Sequence, residues 1–458
     1  MNIHAPDRLE RHPLIPLILS LSLPVMVTLL VQAMYNFVDS IYVSRINEYA
    51  FTALSLAFPI QVLVTAVASG TGVGVNVLIA RALGNKNPEK ASSIAAHGFV
   101  LAGLNWVVFV AMSFLLIGPY FQILSATGQV ERMGRQYLRI IIIFSLGTFV
   151  GNIGVRILQA AGDMRRPMLY EVTGAMVNIA LDPVMIFGLG GFPRLGVTGA
   201  AIATVVGQFV SMLLVVQSVF RSRSSNVKVT FRGFRFSFRT AQNIYWASLP
   251  TIIMQSMCTM YITGLNTVAI RFTEAAVSVI GVYYKLQTFL LIPTYGINQG
   301  ITPLISYNYG AKNYRRMWNA LWYSTVLSFI SLSAGTLIFW LFTRQLLDIF
   351  AATSEAIAVG VPALRIISTS FPFFVFTILN PTLFQSTGYI RKNIAITIVR
   401  QIICLVPLAI ILSRFGLTYF WLTFPLSEII ATVLALVYTY QLYKGPLSPR
   451  FASDTSHA

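Results

Sequence analysis

Two carboxylates stand inside stretches of this chain that are otherwise apolar: Asp39, at the end of LPVMVTLLVQAMYNFVD, and Asp182, within NIALDPVMIFG. Holding a charge at mid-bilayer depth costs at least about 2.5 to 3.5 kcal/mol, so an acid kept there is by default part of a pathway. Asn178 precedes Asp182 by one helical turn, and Tyr35 and Asn36 precede Asp39 at the same kind of spacing, which sets a polar neighbour beside each acid on its own helix face. Two facing oxygen clusters of this kind can exchange protons near neutral pH, titrating jointly if they are close, or hold a hard cation. Pro183 cannot donate its amide and disfavours ordinary helix, which would free carbonyls beside the cluster. The plainer alternative is that each acid only fixes helix register by hydrogen bonding within a bundle.

Five further charges interrupt apolar segments in ways that suggest structure more than transport. Glu428 and Lys285 fall at similar depth by helical rise and are expected to pair, with Arg365 as an equal candidate partner. Arg156 and Arg400 are placed near helix ends, from which long side chains snorkel to the interface.

Other chemistries have little to work with. There is no Gly-Lys dipeptide, hence no Walker A loop and no self-contained ATP-driven pump. Of the four histidines, His4, His12, His97 and His457, only His97 is expected to touch a helix, and Cys258 and Cys404 both sit in apolar segments. This argues against an enzyme, a resident metal, a cofactor and a disulfide framework.

The elements that must position the acids follow from composition. In 458 residues, 56% are apolar, 10% are charged and the mean hydropathy is +0.73, a balance that no soluble surface needs. Uncharged runs supply eight spans outright, and stretches near 133 to 161, 168 to 188, 393 to 413 and 417 to 442 supply four more, for an all-α membrane protein of twelve transmembrane helices. The first run, residues 14 to 38, is too long for a signal h-region. If connections alternate sides, twenty Lys and Arg, from Arg8 and Arg11 through Arg81, Lys86, the 221–239 segment and Lys312 to Arg450, fall on one side against seven on the other. Both termini are therefore expected in the cytoplasm.

An offset of 226 residues superposes the two halves. Ser22-Leu23-Pro24 falls on Ser248-Leu249-Pro250, Gly70 and Gly74 on Gly296 and Gly300, Gly84, Lys86 and Asn87 on Gly310, Lys312 and Asn313, and Gln159 and Gly162 on Gln385 and Gly388. The expected organisation is a six-helix bundle over 1–220, a cytoplasmic linker over 221–242 and a second bundle over 243–458, related by an axis along the membrane normal as in alternating-access transporters. The net charge of +18 and the linker stretch FRGFRFSFR suggest nucleic acid at first sight. Beside a membrane, aromatics at headgroup level with arginines on anionic lipid, or a plain tether between bundles, account for them more simply.

Taken together, LPVMVTLLVQAMYNFVDSIYVSR, NIALDPVMIFG, LGVTGAAIAT and the repeated Gln-x-x-Gly motifs resemble the multidrug and toxic compound extrusion (MATE) transporters, in the branch that contains the DNA-damage-inducible F protein. The resemblance runs nearly end to end. It implies two pseudo-symmetric six-helix bundles around a central cleft, acting as a monomeric secondary antiporter in a plasma (inner) membrane. Such a protein exports amphipathic, often cationic, drugs and toxic compounds against protons or sodium, in contact with membrane lipids and not nucleic acid. It further implies a coupling site at Asp39, Asn178, Asp182 and Thr204, the last placed by GAAIAT; these residues would also be the ligands of any sodium ion. Tyr35 and Asn36 would share the substrate cavity with Asp39, Asn178 and Asp182, and Pro24 would be the point where helix one bends. Ion-binding acids of the second bundle, found in the other branch, have no counterpart here beyond Glu428, on a different helix. The rival function within the superfamily, a lipid-linked oligosaccharide flippase, calls for a cavity rich in Arg and Lys to hold a pyrophosphate; the acids in the first-bundle cavity speak against it.

Overall fold

The computed structural model describes residues 9–124, 128–221, 227–350 and 353–449, and helix is the regular structure among them. Arg8, Arg223 and Arg450, which contribute to the charge asymmetry between the two sides, lie outside the described residues. The first repeat comprises α1 (Leu14–Ser44), α2 (Glu48–Gly84), α3 (Pro88–Ile123), α4 (Gly128–Ile143), α5 (Leu146–Ala160), α6 (Arg165–Phe187) and α7 (Val197–Arg221). The second comprises α8 (Phe238–Ala269), α9 (Glu274–Gly310), α10 (Tyr314–Leu341), the short α11 (Thr343–Asp348), α12 (Ser354–Ser368), α13 (Phe371–Thr387), α14 (Ile390–Ile398), α15 (Leu405–Leu412), the short α16 (Leu417–Trp421) and α17 (Thr423–Lys444).

Among the described residues, nine segments are long and apolar enough to cross a bilayer alone, two of them composite, one formed by α14 with α15 and one by α16 with α17. The pairs α4–α5 and α12–α13 each make a further crossing, bent by 43° and 48° at equivalent points of the two repeats. The remaining long helix is α8, whose 32 residues are ample for a span although its composition is more polar. The protein is a multi-pass membrane protein.

The repeat motifs encode the same local geometry twice. After α2 the chain turns through Lys86 at φ 55°, and after α9 through Lys312 at φ 57°, left-handed positions in both cases. Asn87 then caps α3 by accepting from the Lys90 amide at 2.9 Å, and Asn313 caps α10 by accepting from the Arg316 amide at 3.1 Å. The Gln-x-x-Gly motifs end α5 and α13 with Gly162 at φ 86° and Gly388 at φ 89°, a backbone that glycine adopts without a Cβ penalty. Asn47 before α2 and Thr273 before α9, also 226 apart, cap those helices through the amides of Ala50 and Ala276.

By packing, the chain forms two compact units, one built on Val27–Gln255 and the other on Arg11–Met26 with Ser256 onward. The leading segments of α1 and α8 are thus exchanged relative to sequence boundaries at 220 and 243, and each helix changes unit shortly after its proline, Pro24 or Pro250. In the first unit, Gly74 of α2 faces Ser248 of α8 so closely that a Cβ would lie 2.5 Å from the Ile244 carbonyl oxygen. In the second, Gly300 of α9 meets Ser22 of α1 in the equivalent way. Small residues here let helix backbones approach, the usual basis of helix association in lipid.

The linker docks on α3 rather than simply spanning a gap. Ser237 donates its amide to His97 Nε2 at 2.8 Å, so the ring proton sits on Nδ1, which donates to the Ser93 carbonyl at 2.7 Å. Phe234 and Phe236 pack on the imidazole with ring centres 4.8 and 5.5 Å away.

Candidate functional site

The site is built in the first unit where α1, α2, α4, α6 and α7 converge. Helix α6 runs unbroken through Pro183, so the expected interruption does not occur; it ends at Gly188, in the left-handed conformation with φ 76°. On its inner face Asn178 and Asp182 are one turn apart and are 3% and 0% exposed. The Asn178 amide Nδ2 donates to Asp182 Oδ1 at 3.4 Å and reaches Thr204 Oγ1 at 3.5 Å on α7, while Thr204 donates to the Ala200 carbonyl. The close approach of α6 and α7 depends on Gly174 and Gly207, each of which abuts the other's carbonyl.

Asp39 on α1 is half-buried, and its carboxylate lies within electrostatic reach of Asp182. Tyr35, one turn earlier on α1, is close enough to feel both acids. Asn36 is exposed, and no hydrogen bond joins its side chain to either carboxylate among the described residues. Asp39, Asp182, Asn178, Thr204 and Tyr35 therefore belong to one neighbourhood, and Asn36 lies one turn before Asp39 on the same helix.

Three oxygens in this neighbourhood are buried without a hydrogen-bond partner among the described residues: Asp39 Oδ1, Asp182 Oδ2 and Asn178 Oδ1. All three are acceptors only once the acids are ionised. A buried acceptor left unmatched costs about 1 to 3 kcal/mol, more when charged, so the set calls for a donor or a cation. Protons on the carboxyls would serve, as would one hard cation among carboxylate and amide oxygens. No cluster of three or more His, Cys, Asp or Glu suited to a resident metal occurs among the described residues.

Three participants escape sequence reasoning. Tyr137 on α4 is buried, feels both Asp39 and Asp182, and accepts a hydrogen bond from Gln61 of α2 at 3.3 Å. Glu171, also on α6, lies three turns before Asp182 toward the start of the helix and within electrostatic reach of Arg156. Glu171 carries the signal of another acid in an apolar segment, whereas an aromatic and an amide in apolar helices carry none.

The charges of the second unit are arranged otherwise than expected. Glu428, 2% exposed, pairs with Arg400 at 2.8 Å and accepts from Thr377, and neither Lys285 nor Arg365 is its partner. Lys285 lies over the Phe350 ring, 5.6 Å from its centre, and Arg365 is exposed. Arg400 does not snorkel from a helix end, because it sits in a π-helical segment, Val399–Cys404, between α14 and α15. Arg156 likewise turns inward, donating to Gln159 Oε1 at 3.0 Å beside Gly72 of α2. The acids of the first unit are not repeated in the second: Leu265 stands at the position of Asp39 at the 226 offset, and α14 and α15 carry no carboxylate.

Comparison with known proteins agrees with this architecture. The family model described as MatE matches residues 24–184 and again 250–411, with starts 226 residues apart. The "Probable multidrug resistance protein NorM" of Thermotoga maritima is 26% identical over 434 residues, covering 92% of this chain and 91% of its own. A protein of Shewanella oneidensis named "FAD transporter" is 23% identical over 407 residues, covering 87% and 89%. Among solved structures, the outward-facing conformation of a multidrug resistance MATE family transporter of the MOP superfamily is 27% identical, with a TM-score of 0.89 over 95% of this chain and 97% of that one.

Proposed function

The chain belongs to the MatE family of multidrug efflux transporters, and from that premise we propose that it exports amphipathic cationic compounds in exchange for protons, with Asp39, Asn178, Asp182 and Thr204 as the coupling site. It is a membrane transporter of small molecules and not an enzyme. The observation that carries the coupling proposal is the trio of buried, unmatched oxygens on Asp39, Asp182 and Asn178. With both acids ionised, the neighbourhood is negative and attracts an organic cation. Protons arriving from outside neutralise it, supply the missing donors and remove the attraction that held the cation. Helix α1 carries Asp39 beyond Pro24, so a change of bend at Pro24 would move the carboxylate and discharge the compound outward. Loss of the protons to the cytoplasm resets the site.

The energetics suffice. One proton moving down about 100 mV and about one pH unit releases roughly 2.3 plus 1.4 kcal/mol, of which a monovalent cation moving outward takes back about 2.3, so one proton per cation sustains an export gradient of about tenfold and two protons, one for each carboxylate, one of several thousand-fold. In this reading the repeats 1–220 and 243–458 act as two bundles joined by 221–242, in a plasma (inner) membrane with both termini cytoplasmic, as the distribution of Lys and Arg favours. A second reading, sodium in place of protons, is favoured by the same acceptor-only trio, since a carbonyl oxygen such as Asn178 Oδ1 suits a cation directly.

The test is transport of a fluorescent lipophilic cation into the lumen of inverted vesicles, which corresponds to export from the cell, under an imposed pH or sodium gradient. The parent is expected to respond to the pH gradient, and Asp39→Asn and Asp182→Asn each to abolish that response. Export driven by sodium alone would replace the proton, and full proton-driven export in both variants would refute the site.

A further inference from the structure

The second unit holds a polar centre that the coupling proposal leaves unused, and its sign is opposite to that of the first. Arg400 is 21% exposed in its side chain, and Glu428 engages only its Nε. The guanidinium lies over the Phe374 ring, 5.0 Å from its centre, which fixes its plane. Its two terminal NH2 groups have no protein partner among the described residues. Tyr261, Tyr284 and Tyr295 are half-buried within electrostatic reach of the same cation. The Tyr284 and Tyr295 hydroxyls also lack a protein partner among the described residues, and the Tyr261 hydroxyl is shared with Cys258 Sγ at 3.3 Å. Behind them the buried rings of Tyr283 and Phe424 back the cluster, Tyr283 lying 5.0 Å from Tyr284 and 5.2 Å from Phe424, centre to centre.

What is left over is therefore a forked set of N–H donors, phenolic hydroxyls and flat apolar faces, with no spare acceptor charge. Glu428 is 2% exposed and its charge is offset by Arg400, which leaves little to attract a cationic ligand. The π-helical turn that carries Arg400 adds to the argument, since such turns interrupt regular helix at a cost and are frequent at functional sites.

We infer that Arg400, with Tyr261, Tyr284 and Tyr295, forms a binding subsite for the carboxylate of an aromatic organic acid, giving the protein a second substrate class alongside cations. The guanidinium edge takes the two carboxylate oxygens in bidentate fashion, and the tyrosine rings stack on the aromatic body. Glu428 holds the guanidinium by its Nε, which leaves the edge formed by the two terminal NH2 groups to the ligand. The site is independent of the coupling ion and of Asp39 and Asp182, so it stands or falls separately from the antiport proposal.

The experiment uses the full-length chain in detergent and three matched probes, pyrene-1-carboxylate, 1-pyrenemethylamine and uncharged 1-pyrenemethanol, with binding read as energy transfer from protein to pyrene. The parent is expected to bind the carboxylate more tightly than the alcohol. Arg400→Gln should weaken the carboxylate about tenfold or more, the factor for losing a charge-assisted bidentate contact, with the amine unchanged. Arg400→Lys, which keeps the charge but not the fork, should fall between them. Should Arg400→Gln not fold because Glu428 is left buried alone, the Arg400→Gln/Glu428→Gln double variant removes both charges and carries the same expectation. Equal carboxylate binding with and without Arg400, or equal loss of carboxylate and amine, would overturn the inference and leave the ion pair a structural one.

Discussion

Replacing Gly74 by alanine tests the packing account at its tightest point. The added Cβ would overlap Ser248 Oγ and stand 2.5 Å from the Ile244 carbonyl oxygen. Ordinary carbon to carbonyl-oxygen contacts begin near about 3.3 Å, so α2 and α8 must separate by roughly 0.8 Å. A carbonyl on a helix backbone has no rotamer by which to escape, so the cost lies toward the upper part of the about 1 to 3 kcal/mol typical of overpacking. Gly103, inside α3, is the control, because a Cβ there meets nothing within 4 Å. Gly103→Ala should stabilise by about 0.5 to 1 kcal/mol through helix propensity alone. Denaturant unfolding of the detergent-solubilised protein, followed by tryptophan fluorescence, should move the midpoint down for Gly74→Ala and up for Gly103→Ala. If Gly74→Ala left the midpoint unchanged or raised it, the close crossing of α2 and α8 would be refuted.

Two further outcomes follow from single contacts. His97→Ala removes the acceptor of the Ser237 amide and the ring on which Phe234 and Phe236 pack, so hydrogen exchange across residues 231–237 should speed up, by about fivefold or more for a lost contact of about 1 kcal/mol; unchanged protection would contradict the docked linker. Thr204→Val keeps the shape of the side chain but takes away the oxygen that Asn178 reaches, so proton-driven export should fall by several-fold while the folded protein is retained, and a rate equal to the parent's would remove Thr204 from the coupling site.

Much of this architecture is legible in the amino-acid sequence itself. Charge in an apolar segment is expensive, which makes Asp39 and Asp182 conspicuous, and helical spacing attaches Tyr35 and Asn178 to them. The 226-residue offset can be read because Gly-x-Lys-Asn and Gln-x-x-Gly are backbone instructions, a left-handed turn with a cap and a glycine helix end, and both copies carry them out alike. Spacing along one helix says less about its rotation toward its neighbours. Asn36 has the right interval to Asp39 and is exposed, without a hydrogen bond to it among the described residues, and Tyr137 reaches the site because α4 packs beside α2. Arg400 departs from its expected place near a helix end because α14, the π-helical turn and α15 run on as one span, Ile390–Phe415, which sets it well inside the span where Glu428 can pair with it. Depth from helical rise alone sets Glu428 level with Lys285, but depth carries no information on which helix faces which.

The central claim is that the carboxylates exchange protons for the transported cation, and proton counting on the purified protein tests it most directly. A lipophilic cation is added to the full-length chain in weakly buffered detergent with a pH indicator, and the protons released per cation bound are measured. The account predicts release by the parent, reduced in Asp39→Asn and in Asp182→Asn and absent in the double variant. Cation binding with no proton release by the parent, or undiminished release by the double variant, would contradict it.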